Sequence, residues 1–192
     1  MIIYVYIYMD NATIAFINRT FRHIRRVQDN AVFLIENYAD NLQLSYMDCR
    51  NILSNIAKHD LSKWSEAQFE PYINKFNRKI EDGKFKDAWK HHYSNENHHY
   101  QDGKIFTKIE LIEVICDLQA MSQEFNEVSC RKYFKEVWIP EFNKWGNSNK
   151  GTNLSMFIAD EYAYHSMISY MYQIIDCFEN NINQENKNDY IS

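Results

Sequence analysis

Four glycines and two prolines are all that 192 residues contain, and that scarcity constrains the fold more than any motif does. A β-sandwich or barrel reverses direction every few residues and relies on Gly and Pro at its turns. A chain with so few of either, yet 45% hydrophobic and 16% aromatic, is expected to be all-α, with helices joined by short polar loops. At this length one domain buries a full core without disulfide or metal staples. No internal repeat and no stretch rich in Pro, Gly or Ser divides the chain. One domain is therefore expected over residues 1–180, followed by a polar, disordered tail at 181–192.

The formal net charge is −5 and the isoelectric point about 5.8. Such a surface does not attract duplex phosphates, and no basic run with interleaved aromatics is present, so duplex nucleic acid is not an expected partner. A small anionic substrate remains compatible with this balance where a metal ion supplies local positive charge. Cys49, Cys116, Cys130 and Cys177 are scattered, with no C-x-x-C pair. That argues against a disulfide framework or zinc knuckle and points to a reducing cytoplasm. The apolar start, "MIIYVYIYMD", is too short to span a bilayer and lacks the flanks of a signal peptide, so no membrane association is expected. It reads as a strand-like or helical segment packed on the domain.

Periodicity predicts six or seven helices. "NRTFRHIRRVQDNAVFLIENYADNL" aligns Phe21, Ile24, Val27, Ala31, Leu34 and Tyr38 in one stripe, with His23 beside it. A second helix, from about Ser45, turns Cys49, Ile52, Leu53 and Ile56 inward and ends at His59 and Asp60. Ser65 and Gln68 have the capping-box pattern of a short third helix, which Pro71 interrupts or restarts. A fourth runs through Phe85, Ala88, Trp89 and His92 and loosens around Asn95 and Asn97. Thr107 and Glu110 box the next, whose buried stripe is Leu111, Val114 or Ile115, Leu118 and Phe125, with Asp117 adjoining it. "CRKYFKEVWIPEFNKW" is expected to be helical with a break near Pro140, "NSNKGTN" a loop, and "LSMFIADEYAYHSMISYMYQIIDCF" a long apolar helix. His165 in that helix reads as a satisfied core histidine. Trp64 and Trp89 read as core or pocket walls, and Glu110 and Glu113 as capping and solvated-face residues. Met167, Tyr170, Met171 and Ile174 offer core packing or the seam of a homodimer.

Six of the seven histidines fall before residue 100: His23, His59, His91, His92, His98 and His99. A metal site needs neutral imidazoles and carboxylates converging from different elements. His23 on the first long helix, the His59–Asp60 pair ending the second and Asp117 on a later helix meet that need. Each also has a plainer reading. His23 suits a partly buried, hydrogen-bonded position, His59 suits the dipole at a helix C-terminus, and Asp117 suits solvent. Yet Asp117 stands in "VICDLQAM", a run where an unpaired charge is costly to bury.

The order and spacing, 36 residues from His23 to His59 and 57 from Asp60 to Asp117, resemble the HD-domain metal-dependent phosphohydrolase superfamily. "HDLSK" matches the His-Asp-x-x-Lys form of its doublet. "HDLSKW", "AWKHHYSNENHH" and "DLQAMS" look closest to an HD-like domain of unknown function from phages and low-GC bacteria, over about residues 20–130. The resemblance implies an HD-like helical domain in which His23, His59, Asp60 and Asp117 hold a divalent transition metal such as Mn, Co, Zn or Fe. Two-metal members use Asp60's counterpart as a bridge and add two histidines spread more widely than "HHYSNENHH". One ion is therefore expected rather than two. His91 and His98, like His92 and His99, share a face only if the helix continues unbroken.

The implied activity is hydrolysis of a nucleotide or related phosphate ester by a metal-activated water, whose pKa falls to about 7. Lys63 and a histidine of the cluster, His92 or His98 foremost, would meet the phosphate, and Glu66 would orient the water. Two other classes remain: a di-iron oxygenase on the same fold, and a non-catalytic module that binds a nucleotide or a partner.

Overall fold

The computed structural model describes residues 9–99, 106–126, 128–148 and 161–189, and every regular element among them is helical. Helix α1 spans Asn11–Tyr38, opened by Asp10, whose carboxylate accepts the Thr13 amide at 2.8 Å. Its buried face recurs at steps of three and four, from Phe16, Thr20 and His23 through Val27 to Leu34. Phe21 does not belong to that face. It is 60% exposed and packs its ring on Trp64 at 4.9 Å, because the stripe passes through Thr20 and His23 on either side of it.

Helix α2 spans Tyr46–Ile56 under a capping box of Ser45 and Asp48. Ile52 and Ile56 are buried, whereas Leu53 is exposed and Cys49 half-buried, so the inward face is narrower than its apolar positions suggest. A 3-10 turn, Leu61–Trp64, leads to α3, Phe69–Tyr72, which continues as a π-helical segment, Ile73–Arg78. The expected box of Ser65 with Gln68 does not form. The Ser65 hydroxyl has no partner, and the fully buried Gln68 amide instead meets His91 Nδ1 at 2.8 Å. Helix α4 is Phe85–Asn95, and α5 is Lys108–Phe125, started by the Thr107–Glu110 capping box. Helix α6, Cys130–Tyr133, passes through a π-helical stretch, Phe134–Trp138, into α7, Ile139–Ser148. Pro140 thus widens the helix ahead of it instead of breaking it, since proline lacks an N–H and crowds the carbonyl one turn back.

Helix α8 is Glu161–Asp189, so its backbone stays helical into the segment expected to be a disordered tail. The apolar residues 1–8, residues 149–153 of "NSNKGTN" and residues 154–160 lie outside the described residues.

The main core joins α1, α2, α5 and α8 through Val27, Leu34, Ile52, Ile112, Ile115 and Ile174. Asn30 locks α1 to α5: its amide donates to the Cys116 carbonyl at 3.1 Å and accepts from Gln123 at 3.0 Å. Met171 and Ile174 are fully buried, and Met167 and Tyr170 pack against the same core. The α8 face read as a possible homodimer seam is therefore spent inside the chain. His165 is exposed, not a core residue. A smaller cluster of Phe16, Tyr72, Ile73 and Ala88 holds α3 and α4 against the start of α1. On α1, His23 lies between the residues of these two clusters. The four cysteines are free, and no described helix is long and apolar enough to cross a membrane.

Candidate metal centre

Helices α1 and α5 bring His23 to Asp117, with His23 Nε2 3.0 Å from Asp117 Oδ1. The turn after α2 brings the other pair. Asp60 sits in the left-handed region at φ 60°, ψ 12°, which Asp tolerates better than most residues. Glu96 secures that conformation, accepting the Asp60 amide at 3.1 Å and the Ser62 amide at 2.9 Å. Asp60 Oδ2 then faces His23 Nε2 at 3.5 Å and His59 Nε2 at 3.8 Å. His59 Nε2 lies 3.4 Å from His23 Nε2 and 3.9 Å from Asp117 Oδ1. The four residues named from sequence as ligands thus converge on one point.

Their geometry and chemistry fit a divalent ion. Ligands about 2.1 Å from a tetrahedral ion stand about 3.4 Å from one another; here His23 and His59 are 3.4 Å apart and each lies 3.0–3.9 Å from both carboxylates. Two imidazoles and two carboxylates form a donor set suited to Mn, Co, Zn or Fe. Behind His59, Glu113 Oε1 lies 3.0 Å from Nδ1, the support a metal-bound imidazole receives from a carboxylate. His23 Nδ1 and Asp60 Oδ1 are buried without hydrogen-bond partners.

The charge state of the two carboxylates favours the same use. Burial pushes the Asp60 carboxyl up, but Lys63, His59, His92 and His23 outweigh it and hold the group well below the usual range. Asp117 is likewise raised by burial and lowered further by its contact with His23, with a net downward shift. For His59, burial lowers the pKa while Asp60, Glu113 and Asp117 raise it to above its ordinary value. Burial, with Lys63 and His98 beside it, drives His92 down to about 3 against the pull of Asp60, so its imidazole is neutral near pH 7.

Next to this site is a second histidine group. His92 Nε2 is 2.9 Å from His99 Nε2 and 3.4 Å from Asp60 Oδ1, and the three histidines His92, His98 and His99 present nitrogens within 4.8 Å of one another. Helix α4 ends at Asn95, so the turn that follows, not a continuous helical face, returns His99 to His92. The Tyr93 ring stacks on His99 at 4.2 Å. His98 packs on His59 with ring centres 4.3 Å apart, its Nδ1 3.2 Å from Glu113 Oε1. His91 turns away to Gln68.

Lys63 pairs with Asp60 Oδ2 and lines a cavity of about 640 Å³ with His23, Asp60, His92, His98, His99 and Asp117. Trp89 lines the same cavity, as a pocket wall. Glu66 does not reach it: the side chain is exposed just after the 3-10 turn and is absent from the lining. Glu113, read as a solvated-face residue, is 2% exposed. Helix α5 is buried on nearly every side from Leu111 to Cys116, so no solvated face exists there. Glu113 stands one turn before Asp117, and that i, i+4 spacing was the signal available for it. Glu96 had no such signal.

An all-α domain whose buried His/Asp cluster opens into an aromatic-walled cavity is the class of protein that fold and site define. Residues 12–160 match the Family of unknown function (DUF5662), and the chain belongs to that family. The match spans all four converging ligands. Among curated proteins and solved structures, none matches the chain.

Proposed function

We propose that this chain is a metal-dependent phosphohydrolase of the HD type, acting on a nucleotide or a related small phosphate ester. The observation that carries the reading is that His23 and His59 each lie 3.0–3.9 Å from both Asp60 and Asp117, beside a cavity that also holds Lys63. A divalent ion in such a set supplies Lewis acidity and lowers the pKa of water to about 7. Asp60 and Asp117 contribute the anionic donors, and His59 is oriented by Glu113. The Lys63 ammonium is placed to neutralise phosphate charge, and an N–H of neutral His92, or one of His98, can be donated to a phosphoryl or leaving oxygen. Glu66 has no part in this arrangement.

Metal content of untagged protein purified without chelator tests the reading, with Asp60→Asn alongside. Asparagine also tolerates the left-handed backbone, so the variant isolates the carboxylate's charge. The expected result is about one or two transition-metal ions per chain, lost in the variant, with chelator-sensitive hydrolysis in a nucleotide screen. Failure of added Mn²⁺, Co²⁺ and Zn²⁺ to bind would sink it and leave the binding-module reading.

A second reading is favoured by His92, His98 and His99 beside Asp60 Oδ1, a donor group that would suit a second ion. Two iron ions per chain with O₂-dependent turnover would move the di-iron oxygenase ahead.

A further inference from the structure

Positive charge is unevenly distributed in the cavity. Among the described residues its lysine and arginine lining is Lys63, at the His/Asp cluster, and Arg19. Arg19 is already paired: its Nε donates to Glu124 Oε1 at 2.6 Å, and its guanidinium lies over the Phe125 ring at 5.3 Å. Glu141 also lines the cavity. Among the described residues, the charged lining away from the cluster is thus Arg19, Glu124 and Glu141.

The position of the Arg19–Glu124 pair gives this charge count a meaning. Arg19 is one turn before His23 on α1, and Glu124 is two turns after Asp117 on α5. At 1.5 Å per residue, the pair stands about 6 Å along α1 and about 10 Å along α5 from those ligands. A phosphate held at the cluster would project its next group, a second phosphate or a sugar, toward that pair. A second phosphate would meet a carboxylate and an arginine already neutralised, between low-dielectric walls. Tyr133, Trp138 and Trp89 supply flat apolar surface around the same space.

We infer that the substrate is a phosphate monoester of a flat body, of the nucleoside monophosphate class, and that the Arg19–Glu124 pair discriminates against di- and triphosphates. The inference rests on the phosphohydrolase reading and narrows it. Selectivity here comes from attraction withheld, since the pair offers a second phosphate no uncompensated positive charge.

The test compares p-nitrophenyl phosphate, adenosine monophosphate, diphosphate and triphosphate on the metal-loaded full chain. Free metal is held equal throughout, because polyphosphates chelate it. The expected kcat/KM for the monophosphate exceeds that for the triphosphate by about tenfold or more. Glu124→Gln frees Arg19 and is expected to narrow that ratio severalfold, chiefly by lowering KM for the di- and triphosphates. Equal or better turnover of the triphosphate by the natural chain overturns the inference while leaving phosphohydrolysis standing. A ratio unmoved in a folded Glu124→Gln protein removes the pair as discriminator. If that variant does not fold, the ratio in the natural chain decides. No turnover of any of the four with any metal takes the phosphohydrolase reading down together with this one.

Discussion

Glu113 holds His59 from behind, its Oε1 3.0 Å from His59 Nδ1, with both side chains buried. Burial favours a neutral Glu113, but hydrogen bonds with His59 and His98 outweigh it and hold the carboxyl at about 2. An anionic Glu113 keeps the proton on Nδ1 and leaves the Nε2 lone pair facing His23, Asp60 and Asp117. Glu113→Ala is expected to weaken metal binding by about 10–100-fold, read by competition with a fluorescent chelator. Undiminished affinity in a folded variant would reduce Glu113 to a packing residue.

Lys63 pairs with Asp60 Oδ2, the same oxygen that faces His23 and His59. A divalent ion held by Asp60 would share that carboxylate with the ammonium, and the two cations would repel each other. Lys63→Met is therefore expected to tighten metal binding by roughly threefold to tenfold while lowering kcat/KM on a phosphate ester by about a hundredfold. Weaker metal binding would instead mean that Lys63 supports Asp60.

Asn30 ties α1 to α5 through Cys116 and Gln123, and the same helix pair brings His23 to Asp117. Asn30→Ala removes the donor to the buried Cys116 carbonyl, at a cost of about 1–3 kcal/mol in denaturant unfolding. Metal affinity should fall with it, because the two ligands lose their common register. Lost stability with unchanged affinity would separate the clamp from the site.

Asp10 caps α1 and pairs with Arg78 at 2.8 Å. Its hydrogen bonds from Thr13, then that from Arg78, lower its pKa from 3.8 to about 2. The folded value lies below the unfolded one, so the stabilisation is complete above about pH 3.8 and is lost as pH falls through 2. Asp10→Ala should melt at a lower temperature than the natural chain at pH 7, with the gap closing between pH 3.8 and 2. A gap that persists at pH 2 would assign the effect to something other than the carboxylate's charge. Because the group is exposed, added salt should shrink it.

Much of this molecule is written locally. The poverty in Gly and Pro determined helices, Asp48 and Glu110 box their N-termini, and the i, i+3, i+4 recurrence of Ile24, Val27, Ala31 and Leu34 marks a buried face. The meeting of His23, His59, Asp60 and Asp117 was legible because few residue types serve as metal donors, and their order along the chain survives folding. Other features were decided only in three dimensions. Phe21 is exposed and Glu113 buried because the number of buried faces on a helix depends on how many neighbours surround it. Asp60 takes its left-handed backbone against Glu96, 36 residues away. His99 reaches His92 through a turn that no helical period describes, and Glu66, seven residues after His59, is carried out to solvent by the 3-10 turn. Periodicity reports the one face a segment must hide, whereas the partners of a buried charge and the path of a turn are settled by contacts between segments far apart in sequence.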